Sequence, residues 1–125
     1  MRVIIAGSRN IDDPEALEEA IEQCGFKITT VLCGCAKGID LLGAAWAIAN
    51  QIPVEYYPAN WKLHKKAAGP IRNAEMASKA EALVAVWDGV SRGTQHMIDL
   101  ARKQGLAVYV KLLATDDTFE GFLDE

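Results

Sequence analysis

Residues 2–25, RVIIAGSRNIDDPEALEEAIEQCG, decide the reading of the fold. Arg2 to Ala6 carry a short β-branched run that stops abruptly at Gly7-Ser8-Arg9, as a buried strand does when it runs into a turn. Asp13-Pro14-Glu15 then offers an N-cap, a proline at the first helical position and an acidic first turn. Leu17, Ala20 and Ile21 recur at helical spacing until Gly25 stops the helix. The segment is one strand, one glycine-containing loop and one helix.

The rest of the chain repeats this plan. Ile28 to Cys33 reads as a second strand, followed by the loop Gly34 to Gly38 and an apolar helix from Ile39 to Ala49; Pro53 to Tyr57 is a third strand. After Pro58 the periodicity breaks for about a dozen residues, which predicts an ordered excursion over the surface, where functional loops are often found. Helical spacing resumes from Ile71 to Lys79. Ala82 to Trp87 is a fourth strand, Ser91 to Gln104 a helix, and Leu106 to Leu112 a fifth strand. Strands alternating with helices predict an α/β Rossmann-like three-layer sandwich, with a mainly parallel five-stranded sheet of order 3-2-1-4-5. The expected organisation is a single domain over 1–112 and an acidic C-terminal tail over 113–125.

Composition narrows the function classes. The chain has 125 residues, half of them hydrophobic, enough for one core without disulfide or metal support. No apolar run reaches the roughly 20 residues of a membrane span, and Met1-Arg2 leads into a strand without a signal-peptide layout. A soluble cytoplasmic protein without membrane contact is therefore expected. Net charge is −4, the wrong sign for a protein that coats nucleic acid, but compatible with a small anion held locally. The three cysteines, Cys24, Cys33 and Cys35, lack a second pair at zinc spacing, so no metal site is expected.

In a doubly wound sheet, ligands bind beyond the carboxyl ends of the strands where the strand order reverses. That rule brings Gly7-Ser8-Arg9, Gly34 to Gly38 and Asp88 to Thr94 to one crevice. Glycine lets backbone N–H groups approach a phosphate, and each following helix turns its positive end toward it. Ser8, Ser91 and Thr94 offer hydroxyls, and Arg9, Lys37, Arg72 and Arg92 offer charge. Neither G-x-G-x-x-G nor G-x-x-x-x-G-K-[ST] occurs, so the chain is neither a standard dinucleotide fold nor a P-loop ATPase.

Five stretches carry a resemblance: VIIAGSR (3–9), CGCAKGID (33–40), IPVEYYPANW (52–61), KAAGPIRNAEM (66–76) and ALVAVWDGVSRGTQHMIDLARKQG (82–105). Over residues 1 to 111 the chain resembles the SLOG superfamily, in its YspA-like branch. The resemblance implies a Rossmann-like fold that binds nucleotides or nucleotide-derived molecules. Distant relatives are phosphoribohydrolases that free cytokinin bases from their monophosphates, and the single-strand DNA binder DprA. The positions matching the family motifs are Gly7, Ser8, Arg9, Gly34, Gly38, Asp40, Arg72, Asn73, Asp88, Ser91, Gly93 and Thr94.

There are two departures. Cys35 stands where relatives usually have glycine. The phosphoribohydrolases pair a helix arginine, matched by Arg72, with a glutamate whose position here is Met97, and methionine cannot act on a proton or an oxocarbenium-like sugar. Asp99 points about 200° around the helix from Met97. If the chain is a hydrolase, Arg72 is the catalytic candidate, with Asp88 or Asp40 supplying the missing acid.

Several residues have a purely structural alternative. Arg72 also reads as a surface arginine at a helix start. Asp40 either ties its loop or meets a ribose hydroxyl. Trp61 and Trp87 could stack a base, though Trp87 ends a buried strand and is read as core, as is Trp46. His64 lies in a basic stretch with Lys62, Lys65 and Lys66; His96 follows Gly93-Thr94 in a first helical turn.

The leading expectation is a module that binds or senses a small nucleotide-derived phosphate ligand and needs no further cofactor. The alternatives are a nucleotide hydrolase of the N-glycosidic type and, with the acidic charge against it, a DprA-like single-stranded DNA binder. Homo-oligomerisation is compatible with the family, but the sequence shows no clear interface.

Overall fold

The computed structural model describes residues 1–113. Its elements are β1 (Arg2–Gly7), α1 (Pro14–Cys24), β2 (Thr30–Cys33), α2 (Ile39–Ala49), β3 (Val54–Tyr56), α3 (Trp61–His64), a 3₁₀ turn (Lys65–Ala67), α4 (Ala68–Lys79), β4 (Ala82–Trp87), α5 (Arg92–Lys103) and β5 (Ala107–Leu112). The five strands form one sheet of order β3-β2-β1-β4-β5, parallel at every pairing. β1 lies in the middle, between β2 and β4, with Gly7 opposite Val86 at its carboxyl end.

Alternation along the strands builds a core on each face. Val3, Ile5, Val31, Val84 and Val86 pack with Leu17 and Ala20 of α1 and Ile39 and Ala47 of α2. Ile4, Ala6, Leu32, Leu83 and Ala85 point the other way, onto Met76 and Ala77 of α4 and Met97, Ile98 and Ala101 of α5. The result is the expected three-layer sandwich.

The first helix begins as the sequence predicts. Asp13 is extended at the N-cap and its side chain accepts from the Ala16 N–H at 3.1 Å, with Pro14 in the first turn. Asp13→Ala is expected to cost about 1 kcal/mol of stability, measured by urea unfolding, because that N–H loses its partner.

The main differences from the sequence reading lie in the excursion. Asn60 caps α3 by accepting from the Leu63 N–H at 3.1 Å. α4 starts at Ala68, three residues before the predicted Ile71, and takes Gly69-Pro70 into its first turn. Proline is tolerated there because first-turn N–H groups have no intrahelical partner. β2 begins at Thr30 rather than Ile28, although Ile28 still packs on the core. At the other end, Leu113 packs against the core and its N–H donates to the Trp87 carbonyl at 2.8 Å. The rest of the predicted tail, 114–125, lies outside the described residues. No helix among the described residues is long and apolar enough to cross a membrane.

Candidate functional site

All five strands end at one edge of the sheet, and the loops leaving β1, β2 and β4 meet there around a cavity of about 690 Å³. The cavity sits at the reversal of strand order beside β1, as expected for an open α/β sheet.

The loop after β1 contributes Gly7, Arg9 and Asn10. Ser8 turns away from the cavity. It is fully buried, its N–H donates to the Val86 carbonyl at 3.1 Å, and its Oγ accepts from the Asp88 N–H at 3.0 Å. The hydroxyl expected to meet a ligand instead ties the first loop to the loop after β4.

In the loop after β2, Cys35 has φ of 67°, the left-handed region in which glycine is least strained. A β-carbon on Gly38, at φ of 79°, would lie 2.5 Å from the Ser8 carbonyl oxygen, so that glycine serves loop packing. Lys37 is exposed and lies outside the cavity. Gly34 lines a smaller adjoining hollow of about 130 Å³, which shares Arg9, Ala36, Trp61 and Arg72 with the main cavity.

Asp40, in the first turn of α2, bridges the two loops. Its Oδ1 accepts from the Gly7 N–H and its Oδ2 from the Ala36 N–H, each at 3.3 Å. Burial pushes its pKa up to about 6, against the Ala36 N–H, Arg72, the Gly7 N–H and Arg9, which favour the carboxylate. Asp40 also lines the cavity.

After β4, Asp88 folds the loop onto itself. Its Oδ1 accepts from the Val90 and Ser91 N–H groups, both at 2.8 Å, and its Oδ2 from the Ser91 hydroxyl at 3.1 Å. Burial opposes ionisation of Asp88, but these donors and Ser8 outweigh it and hold the pKa below the ordinary carboxylate value. The Ser91 side chain therefore makes no capping bond to α5. Gly93 and Thr94, in that helix's first turn, line the cavity with Arg92.

From α4, the half-buried Arg72 donates through Nη1 to the Gly34 carbonyl and through Nε to Asn73 Oδ1 at 2.9 Å. Arg72 and Asn73 both face the cavity. The sequence reading missed Asn10, Ala36 and Met76, while Trp61 and His96, which it left open, line the cavity. Trp61 is half exposed at the rim; Trp87 packs in the core and donates through Nε1 to the Ser91 carbonyl at 3.0 Å. Among the described residues, no group of three or more His, Cys, Asp or Glu is placed to hold a metal ion.

The fold and the crevice together define a Rossmann-like α/β protein with a ligand-sized cavity at its switch point. The family model described as "YspA, cpYpsA-related SLOG family" matches residues 1–64. "Gene 61 protein" of Mycobacterium phage D29 is 32% identical over 117 residues, covering 86% of this chain and 93% of that protein. The chain belongs to the YspA, cpYpsA-related SLOG family. Among solved structures, DNA processing protein A (DprA) from Streptococcus pneumoniae matches with a TM-score of 0.70 at 16% identity, over 98% of this chain. That likeness is one of fold, and the chain spans 56% of the DprA chain.

Proposed function

We propose that this protein holds a small nucleotide-derived phosphate ligand in the cavity without cleaving it. The observation that carries the reading is the N-terminus of α5. Its first turn lacks a side-chain cap and lines the cavity, with Arg9, Arg72 and Arg92 around the same space. Free first-turn N–H groups and guanidinium groups together favour an anion with several acceptor oxygens. The cavity volume of about 690 Å³ lies within the range of small-molecule sites.

The preference for holding over cleaving rests on Met97. It is 2% exposed and lines the cavity where hydrolytic relatives place a glutamate. Asp99 is exposed and accepts from Gln95 Nε2 at 2.8 Å, so it does not stand in.

Nucleoside monophosphates, cyclic nucleotides and ADP-ribose are expected to raise the melting temperature at millimolar concentration. A ligand at 100 times its Kd stabilises the native state by about 2.7 kcal/mol. Arg92→Ala should weaken the best of them about tenfold, through loss of a charge-assisted contact. No shift with any compound would overturn the proposal. Chromatography of the incubated monophosphates should show no released base, and release abolished by Arg72→Ala would establish hydrolysis instead.

The DprA fold and the exposed Trp61 beside Lys62, Lys65 and Lys66 favour one second reading, a single-stranded nucleic-acid surface. An oligonucleotide bound with salt-dependent affinity, and not displaced by mononucleotides, would support it.

A further inference from the structure

Below the loops, the cavity runs into the groove between α4 and α5. Its lining there is Ala6, Met76 and Met97, all buried, with Asn73 and His96 beside them. The two polar residues are linked: Asn73 Nδ2 lies 3.1 Å from His96 Nδ1 and 3.5 Å from the Gly93 carbonyl oxygen.

The direction of every bond in this chain follows from Arg72. Its Nε–H can only donate, so the Asn73 atom at 2.9 Å is the amide oxygen. The Asn73 NH₂ must then face Gly93 and His96. The Gly93 carbonyl can only accept, which agrees. To accept from the same NH₂, His96 Nδ1 must carry a lone pair, and the proton of the neutral ring sits on Nε2.

We propose that His96 is a ligand-contacting residue, set by the Arg72–Asn73 relay as its Nε2–H tautomer, which donates to an acceptor on a nucleobase resting against Met76 and Met97. This rests on the reading that the cavity holds a nucleotide, and it specifies which end of the ligand goes where. The phosphate lies at the loops and the start of α5, where the N–H groups and arginines are. The flat base lies one turn deeper, where thioether sulfur gives favourable contact with an aromatic ring. Asn73 is a positioning residue: it acts through His96.

Two measurements test the proposal. The chain has two histidines, so His64→Gln leaves a single ring to observe by ¹⁵N NMR. In mildly alkaline solution the ligand-free protein should show the Nε2–H tautomer. Asn73→Asp should move the proton to Nδ1, because its carboxylate accepts from both Arg72 and His96. A wild-type ring protonated at Nδ1, or one indifferent to Asn73→Asp, overturns the relay.

The second measurement compares calorimetric affinities for AMP, GMP, CMP and UMP with that for ribose 5-phosphate. His96→Phe should weaken the best monophosphate about tenfold, the worth of one good hydrogen bond, and leave ribose 5-phosphate unchanged. His96→Gln, which keeps an N–H donor, should retain most of the affinity. Equal loss for both ligands, or no loss, overturns the base contact while the phosphate site stands. Failure of all five compounds to bind wild-type protein overturns the base contact, and the nucleotide reading falls with it when cyclic nucleotides and ADP-ribose give no melting shift either.

Discussion

Gly7→Ala is expected to lower the stability by about 3 kcal/mol, the upper end of the cost of forcing an extra carbon into a packed site. A β-carbon at position 7 would run into the Val86 backbone carbonyl and would lie 2.7 Å from Ile39 Cβ and 2.8 Å from Ile39 Cγ1. None of these is the free end of a flexible side chain. The carbonyl is the acceptor of the Ser8 N–H, and Ile39 is fully buried at the start of α2. Relief therefore requires β1 and β4 to separate where the two loops leave them. For a chain of this length the melting temperature should fall by about 10 °C. Gly93→Ala provides the contrast. Apart from its chain neighbours and the backbone of its own helix, no atom lies within 4 Å of its would-be β-carbon, and the residue is helical, so alanine there should be neutral or stabilising by a few tenths of a kcal/mol. Calorimetric melting of the two variants checks both outcomes. A Gly7→Ala protein as stable as the wild type would show that the strand junction yields without cost.

The contrast also marks the limit of what sequence shows. Both glycines follow from the same argument, that a glycine after a strand lets backbone approach an anion, yet only Gly93 opens onto free space. At Gly7 the close neighbour is the protein itself. The elements were legible because β-branched runs, the Asp13-Pro14 start and the apolar helix Ile39–Ala49, charged only at Asp40, act locally. The start of α4 was not, because KLHKKAAGP has no apolar period and Pro70 looks like a break rather than a first-turn residue. Within the site, Arg9 and Arg92 were legible from charge just after strand ends, and Arg72 from its match to the family's helix arginine. Ser8 was not, since its hydroxyl meets a backbone N–H 80 residues away. Lys37 lies outside the cavity because proximity in a loop does not fix where a side chain points. The Asn73–His96 contact needs α4 packed against α5, which no spacing within either helix reveals.

Asp40 should give the protein a pH dependence opposite in sign to that of an ordinary ion-paired carboxylate. Its pKa is about 6 in the folded protein against an ordinary 3.8, so between these values the native state holds more protons than the unfolded chain. Its contribution is then fully present below pH 3.8 and is lost as pH rises through about 6, a change of about 3 kcal/mol over roughly two pKa units. Glu55 works the other way. Its bonds from Arg2 and Tyr57 hold its pKa down to about 2, so its contribution is lost only in stronger acid. Stability should therefore peak in mild acid and decline toward neutrality, as measured by urea midpoints across the range. Asp40→Asn removes the titration and should flatten the decline. The same substitution turns an NH₂ toward one of the two N–H groups that the ionised carboxylate holds, a loss of about 1–3 kcal/mol that sets in above pH 6, where the wild-type side chain is charged. A variant that keeps the wild-type slope would remove Asp40 from the account. A neutral residue at this position would avoid the cost of ionisation but could not accept from Gly7 and Ala36 together. The carboxylate thus exchanges stability at neutral pH for a fixed distance between the two loops that line the cavity.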